Sequence, residues 1–461
     1  MEDLIFAPMV LIVGFGIHQV VLRQHPRSFE QRLLNRSFLA HMAAGIGLIL
    51  VYTYYYAGGD MLSYHRYGVP ITEALRYDFG AVFPEVWALF AHGDYRLPIE
   101  PVGLGSTGTM QAVAVWLFFV FGDSIYAAAL FISICSYIAK VLIYRALRSE
   151  FPEGAHEKVL FATVLSPTGI VWTCAILKEP VLMVFFGPAF LGLKWILDGR
   201  RIAGGIALVA VGSAVILLIK PYVLIALALA GGVWIFWART IRSRGNIVVR
   251  PAYFLVASAV VMLGFTVVSN YFPSLSPDKV AESMQNQRRS SAQEKGGSNF
   301  YLEERDAPYE DAPKEGLLSQ VAIMPIALGT ALFRPFIFES FSAMQFLNAI
   351  EMTWLLVLFV QMVRRNRWTD LVRRVTANPA LMFCLVFVLV LALGTGLSTA
   401  NLGTLSRYRA PMMPFFLLLL LILREPEKAV EPGAKLPPTQ DLAGLRPASE
   451  VVTAASVTAG S

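Results

Sequence analysis

The sequence predicts an all-α polytopic membrane protein, and three observations carry that prediction. Of its 461 residues, 56% are apolar and only 15% are Asp, Glu, Lys or Arg, against roughly 45–50% and about 25% in ordinary soluble domains. Mean hydropathy is +0.58. The apolar residues fall in runs long enough to span a bilayer, separated by short Arg-rich segments. A soluble globular enzyme is excluded. The formal charge of +6 does not point to nucleic acid, because the basic residues sit between apolar runs rather than along one face. Cys135, Cys174 and Cys384 lie inside apolar runs, so neither a disulfide framework nor a metal cluster is expected.

The first apolar run, Leu4 to Leu22, is preceded by Glu2 and Asp3 and followed by Arg23. That is the reverse of a cleavable secretory leader, and it sets the N-terminus outside. The loop 23–36, with Arg23, Arg27, Arg32 and Arg36, is expected to be cytoplasmic. The second span, Ser37 to Ala57, returns outward and opens a large outer loop over 58–124. Further spans are expected at about 125–144, 157–175, 180–197, 203–219, 221–238, 251–270, 343–363, 378–396 and 410–424. A hydrophilic loop covers roughly 271–316, within a second outer region of 271–342. The count is about eleven transmembrane helices, N-out and C-in, with the basic connections all cytoplasmic.

Two apolar segments do not fit as full spans. Met110–Phe121 has twelve residues, about 18 Å as a helix, short of the ~30 Å hydrocarbon core. Leu317–Phe333 is borderline and ends at Arg334-Pro335. Counting either alone would invert every later basic loop, so both are expected to be re-entrant or interfacial helices. Residues 1–424 thus form one membrane domain. The Pro-, Ala- and Gly-rich tail 425–461 is expected to be disordered and cytoplasmic.

The chemistry that is missing narrows the field. There is no phosphate-cradling GxxxxGK[ST] loop, no HExxH, no DxD pair and no GxSxG elbow. No metal site is suggested and no cofactor is called for. Group transfer would therefore need a pre-activated substrate.

What is present is a set of ionisable residues at helix ends on one side of the membrane. Gly58-Gly59-Asp60, followed by Tyr64 and His65, places a carboxylate at the boundary after the second span. Asp60 reads either as a general base or as a solvated member of an aromatic belt. Lys178-Glu179, between two apolar runs and preceded by Ser166-Pro167, is costly unless paired or facing a cavity. Lys220, in the next outer turn, reads by itself as a snorkelling cation. Arg334 and Glu339 follow the second short helix, and Arg407 and Arg409 open the last span. The last two break the orientation rule, and guanidinium forks suit phosphate or pyrophosphate.

In this order the features resemble the polyprenyl-phosphate-dependent membrane glycosyltransferases of the GT-C superfamily. The resemblance rests on Gly59-Asp60 with Tyr64, Val120-Phe121-Gly122, Ser166-Pro167 with Lys178-Glu179, Arg334-Pro335-Phe336, and Arg407 to Pro411. It spans roughly residues 37–424, in short, degenerate motifs. Two features differ: the family's acidic turn usually carries Asp, and its first loop follows the first span. A similar outline is shared by Wzy-type polysaccharide polymerases and O-antigen ligases.

The resemblance implies an enzyme of cell-envelope or exopolysaccharide assembly in a bacterial inner membrane. Its donor would be a polyprenyl-(di)phosphate-linked sugar, its acceptor a glycan or lipid, and its neighbours polysaccharide-assembly proteins. Asp60 and Glu179 would be catalytic. Tyr64, His65, Lys178, Lys220, Arg334, Glu339, Arg407 and Arg409 would bind substrate. A transporter or non-catalytic scaffold ranks third, because the charges fall at helix ends and no inverted repeat is visible.

Overall fold

A computed structural model describes residues 2–242, 282, 285–289, 299, 317–340 and 342–426, with side chains 242 and 317–320 excepted. The described residues build helices, and no strand forms among them. Eight helices are long and apolar enough to cross a membrane, and a bent pair makes up to nine. They are α1 (Glu2–Gln24), α2 (Ser28–Leu50, prolonged by a π turn over Val51–Tyr55), α6 (Ile125–Arg148), α9 (Lys178–Leu197), α10 (Ile202–Ile219), α11 (Pro221–Arg242), α13 (Ala343–Arg365) and α15 (Pro379–Ser398). The pair is α16 (Leu402–Tyr408) and α17 (Met413–Leu423), bent by 43°. These nine match nine of the eleven expected spans. The expected span at 251–270, most of the 271–316 loop and the tail beyond Pro426 lie outside the described residues.

The remaining expectation, a continuous span over 157–175, is corrected. Helix α7 (His156–Leu165) has only ten residues, about 15 Å. It stops because Pro167 disfavours helical backbone at the residue before it, and Ser166 is extended at φ −61°, ψ 120°. The Ser166 hydroxyl then accepts from Gly169 N–H to cap the five-residue α8 (Pro167–Val171). Beyond it the chain runs non-helically to Leu177 before α9 begins.

Two further boundaries move. The expected loop 23–36 is largely helix, because Leu33, Leu34 and Phe38 form a buried stripe at helical spacing. The Arg-rich connection after α13 contains α14 (Trp368–Ala377), which buries Leu371 and Val375 and exposes Trp368 and Val372. That two-sided pattern suits a helix lying at an interface.

The 58–124 region is three helices: α3 (Asp60–Tyr77), α4 (Phe79–Phe90) and α5 (Ser106–Phe121). Helix α5 with 16 residues and α12 (Leu317–Phe333) with 17, about 24–26 Å long, cover the two short apolar segments noted in the sequence, and α4 is a third short apolar helix. Exposed Phe79, Phe83 and Trp87 form an apolar flank on α4. Helix α6 runs through the middle, packed against α1, α2, α7 and α9. Close approach to α9 depends on Gly187, where a Cβ would lie 2.4 Å from the Ala139 carbonyl oxygen. Helix α1 is peripheral, with Leu4, Ile5, Ile12, Val13 and Phe15 exposed as expected for a lipid-facing helix.

Candidate functional site

The turn after α2 sets the site. Gly59 sits at φ +111°, and a Cβ there would meet the Tyr52 ring at 2.7 Å, so only glycine fits. The turn delivers Asp60 as the first residue of α3. Helix α9 starts at Lys178-Glu179, Lys220 is the hinge between α10 and α11, and α16 supplies Arg407. Four separate helix ends therefore meet.

Arg407 Nη2 donates to Asp60 Oδ2 at 2.9 Å and to Glu179 Oε2 at 3.4 Å. Glu179, with a fully buried side chain, also accepts from Lys220 Nζ at 2.7 Å. Lys220 is buried rather than snorkelling, and its ammonium lies 3.9 Å from the centre of the Tyr408 ring. That corrects the snorkelling expectation. Lys178 Nζ donates to Ser106 and Thr107 at the start of α5, at 3.0 Å each. Three cations face two carboxylates, an excess of one positive charge.

The group borders a cavity of about 550 Å³. Asp60, Lys178 and Arg407 supply its charge, with Tyr52, Tyr56, Trp172 and Tyr408 as aromatic wall and Gln345 and Asn401 as polar wall. Glu179 and Lys220 do not line it; they stand behind Arg407. The Asp60 side chain is 46% exposed, so it is the accessible carboxylate. Arg407 Nε is buried without a hydrogen-bond partner among the described residues. The arrangement offers a guanidinium and an ammonium to an anion, aromatic faces to a sugar or prenyl chain, and a carboxylate to a proton.

The other candidates fall elsewhere. Tyr64 is buried, and burial together with the charge of Asp60 raises its phenol well above the ordinary range, which keeps it neutral. His65 pairs through Nε2 with the Asp123 carbonyl at 2.9 Å and packs edge-on to Phe118. Neither lines the cavity. Arg334 and Glu339 form a forked pair with each other at 2.6 and 3.1 Å. Burial acts to raise the Glu339 carboxyl, but Arg334 and the Phe336 N–H outweigh it and hold the group below the usual carboxylate range.

Arg409 is also separated from Arg407. Fully buried, it donates to the Ala331 and Arg334 carbonyls at 3.2 and 2.6 Å and to the Ser406 hydroxyl at 3.2 Å. The expected arginine pair thus divides. Arg407 faces the cavity, and Arg409 ties α16 to the end of α12.

Polar residues inside the helices form a second feature. Glu351 accepts from Thr168 N–H at 2.6 Å, Thr168 O–H at 2.5 Å and Ser166 O–H at 3.2 Å. Thr168 O–H is also within 3.0 Å of Asn348 Oδ1, and Asn348 Nδ2 donates to Ser406 Oγ at 2.5 Å, beside Arg407. Deeper, Lys140 contacts His41 Nε2 at 2.9 Å and donates to the Gly169 carbonyl at 2.5 Å. Charges are therefore not confined to helix ends. Lys140 and Glu351 each interrupt an apolar run, a signal present in the sequence.

No group of three or more His, Cys, Asp or Glu side chains among the described residues could hold a metal ion. Compared with known protein families, curated proteins and solved structures, the chain matches none.

Proposed function

We propose that this chain is a membrane glycosyltransferase of bacterial cell-envelope or exopolysaccharide assembly, taking sugar from a polyprenyl-(di)phosphate donor at the outer face of the inner membrane. The observation that carries the reading is Arg407, which holds the accessible Asp60 and the buried Glu179 with one nitrogen at the mouth of the cavity. The orientation rests on the basic helix ends, Arg23, Arg145, Arg148, Arg364 and Arg365, which cap the opposite ends of their helices.

In this reading the donor phosphate engages Arg407 and Lys178 and competes with Asp60 for the guanidinium. The freed Asp60 carboxylate takes the proton of the acceptor hydroxyl. The acceptor oxygen forms its bond to the anomeric carbon with inversion as the bond to phosphate oxygen breaks. The electron pair leaves on the lipid phosphate, where Arg407 and Lys178 offset the developing charge. Glu179 and Lys220 position Arg407, so Glu179 acts as a positioning residue.

The test is Asp60→Asn, which keeps shape and removes the base. Transfer from a lipid-linked donor should fall ~10²–10⁴-fold with protein level unchanged. Near-normal transfer would favour a polymerase or ligase built around Arg407 instead. A second reading, transport of a lipid-linked glycan, is favoured by the broken α7–α8 segment with Lys140 and Glu351 bonded to it. Proteoliposomes separate the two. A transferase makes a new glycosidic bond, whereas a transporter moves its substrate unchanged.

A further inference from the structure

At the end of the bundle opposite the candidate site, the C-terminal ends of α1 and α6 enclose a polar cleft of about 490 Å³ lined by Gln24, His25, Arg145 and Arg148. Its contents are unbalanced. Among the described residues, Arg145 has Gln24 Oε1 as its one side-chain partner, at 3.2 Å. Arg148 lies 3.5 Å from Glu30, whose Oε1 also accepts from Tyr144 at 2.6 Å. His25 is 2% exposed, and neither of its ring nitrogens has a hydrogen-bond partner among the described residues. Glu30 Oε1 lies 3.6 Å from His25 Nδ1, too far for a hydrogen bond. A buried imidazole whose N–H is unmet, beside two guanidiniums, costs free energy unless something accepts from it.

We propose that this cleft binds a phosphate ester, with Arg145 and Arg148 as fork donors and the His25 ring as a further donor. Phosphate fits because it presents several oxygens to converging N–H groups, which a single carboxylate does not. A phospholipid headgroup is one source, reached along the lipid-facing flank of α1, where Ile17 and Val20 are exposed one to two turns before the cleft. Basic pockets between helices at the cytoplasmic surface hold such headgroups elsewhere. A free phosphate monoester is the other.

The proposal has a pH signature. Burial lowers the His25 pKa below its usual ~6.5, Glu30 counteracts this, and Arg145 and Arg148 add to it. The ring is therefore neutral at pH 7 with the cleft empty. Among the described residues, those three charged groups and the Tyr144 ring, 5.7 Å away, are what faces it. A bound anion favours the charged ring, so binding must tighten as pH falls below neutrality.

The test uses the full-length purified protein. In one arm it is reconstituted in phosphatidylethanolamine nanodiscs with or without phosphatidylglycerol, a diester whose charge is constant over this range, and retained lipid is counted by native mass spectrometry. In the other, inorganic phosphate is titrated calorimetrically. Retention of phosphatidylglycerol identifies a headgroup site, and saturable phosphate binding identifies a free-phosphate site. Binding in neither arm overturns the proposal. Arg145→Gln should weaken whichever binding occurs about tenfold or more, whereas Arg200→Gln, an exposed change outside the cleft, should not. Equal losses from both would show generic surface attraction and refute a built site. With phosphatidylglycerol, binding should be tighter at pH 5.5 than at pH 8, and His25→Gln should flatten that dependence. A flat wild-type profile removes His25 from the site.

Discussion

Arg407→Lys is the sharpest perturbation available. Both hydrogen bonds of Arg407 leave from Nη2 and Nε is buried, so Nη1 is the nitrogen that remains for a ligand. A lysine keeps the charge but has one ammonium, which must choose between the carboxylates and the ligand. Losing one charged hydrogen bond to phosphate costs about 1.5–3 kcal/mol, or ~10- to 150-fold. If the contact is equal in ground and transition states, the loss appears as a raised donor KM with kcat preserved. If it strengthens as the lipid phosphate departs, kcat falls as well. The assay is transfer from graded lipid-linked donor in detergent or nanodiscs, normalised to folded protein. Arg409→Lys is the internal control, because Arg409 contacts carbonyls and Ser406 rather than the cavity. It should lower thermal stability while leaving donor KM within about threefold, below one charged hydrogen bond. A silent Arg407→Lys, or an Arg409→Lys variant with the same KM defect, would refute the division of roles.

Three further outcomes follow from the same geometry. Gly59→Ala forces a non-glycine residue to φ +111° against Tyr52, costing about 1–3 kcal/mol of strain; transfer should drop sharply, and wild-type kinetics would show that the turn does not set the site. Lys220→Met leaves buried Glu179 with Arg407 alone, so unfolding in detergent should be easier by about 3 kcal/mol, the lower end for breaking a buried pair, whereas Lys220→Arg should be milder. For topology, Tyr77→Cys, 94% exposed in the parent, should react with an impermeant thiol reagent in intact spheroplasts and Arg200→Cys should not. The reverse labelling would place the site on the cytoplasmic side.

What was legible in the sequence was what composition encodes. Long apolar runs located the eight candidate spans among the described residues and the bent pair α16–α17, because a bilayer demands that length of apolar helix. Hydropathy is blind to chain direction, so it read 157–175 as one span although Ser166-Pro167 marks the break. Asp60, Lys178, Glu179, Lys220 and Arg407 were all identifiable as charges at helix ends, and the structure brings these five together. The division of Arg407 from Arg409 was also accessible, since residues two apart on a helix point about 200° apart. Lys220 was misread because its counter-ion, Glu179, is 41 residues away in sequence. Lys140 and Glu351 were visible as lone charges in apolar runs. What they bond to was not, since their partners are hydroxyls, a histidine and backbone groups freed by the broken helix.

The break at Ser166-Pro167 and the bend after α16 belong to one construction. A helix that stops and restarts inside an apolar bundle strands carbonyls at the stop and N–H groups at the restart, and no water can satisfy them. Glu351 meets that need by taking the Thr168 N–H, and its other bonds fasten α8 to α13. Asn348, three residues earlier and hence on the same face of α13, carries the connection to Ser406. Arg409 anchors the same short helix to the carbonyls at the end of α12. Arg407 is thus held beside the anchored Ser406, while Glu179, itself paired with Lys220, holds it from behind. A guanidinium meant to meet developing charge is effective only if it need not reorganise during the reaction. Among the four of these residues that form ion pairs, Asp60 has the most exposed side chain, and its one ion-pair partner among the described residues is Arg407. In the proposed transfer it is therefore the carboxylate assigned to the acceptor proton.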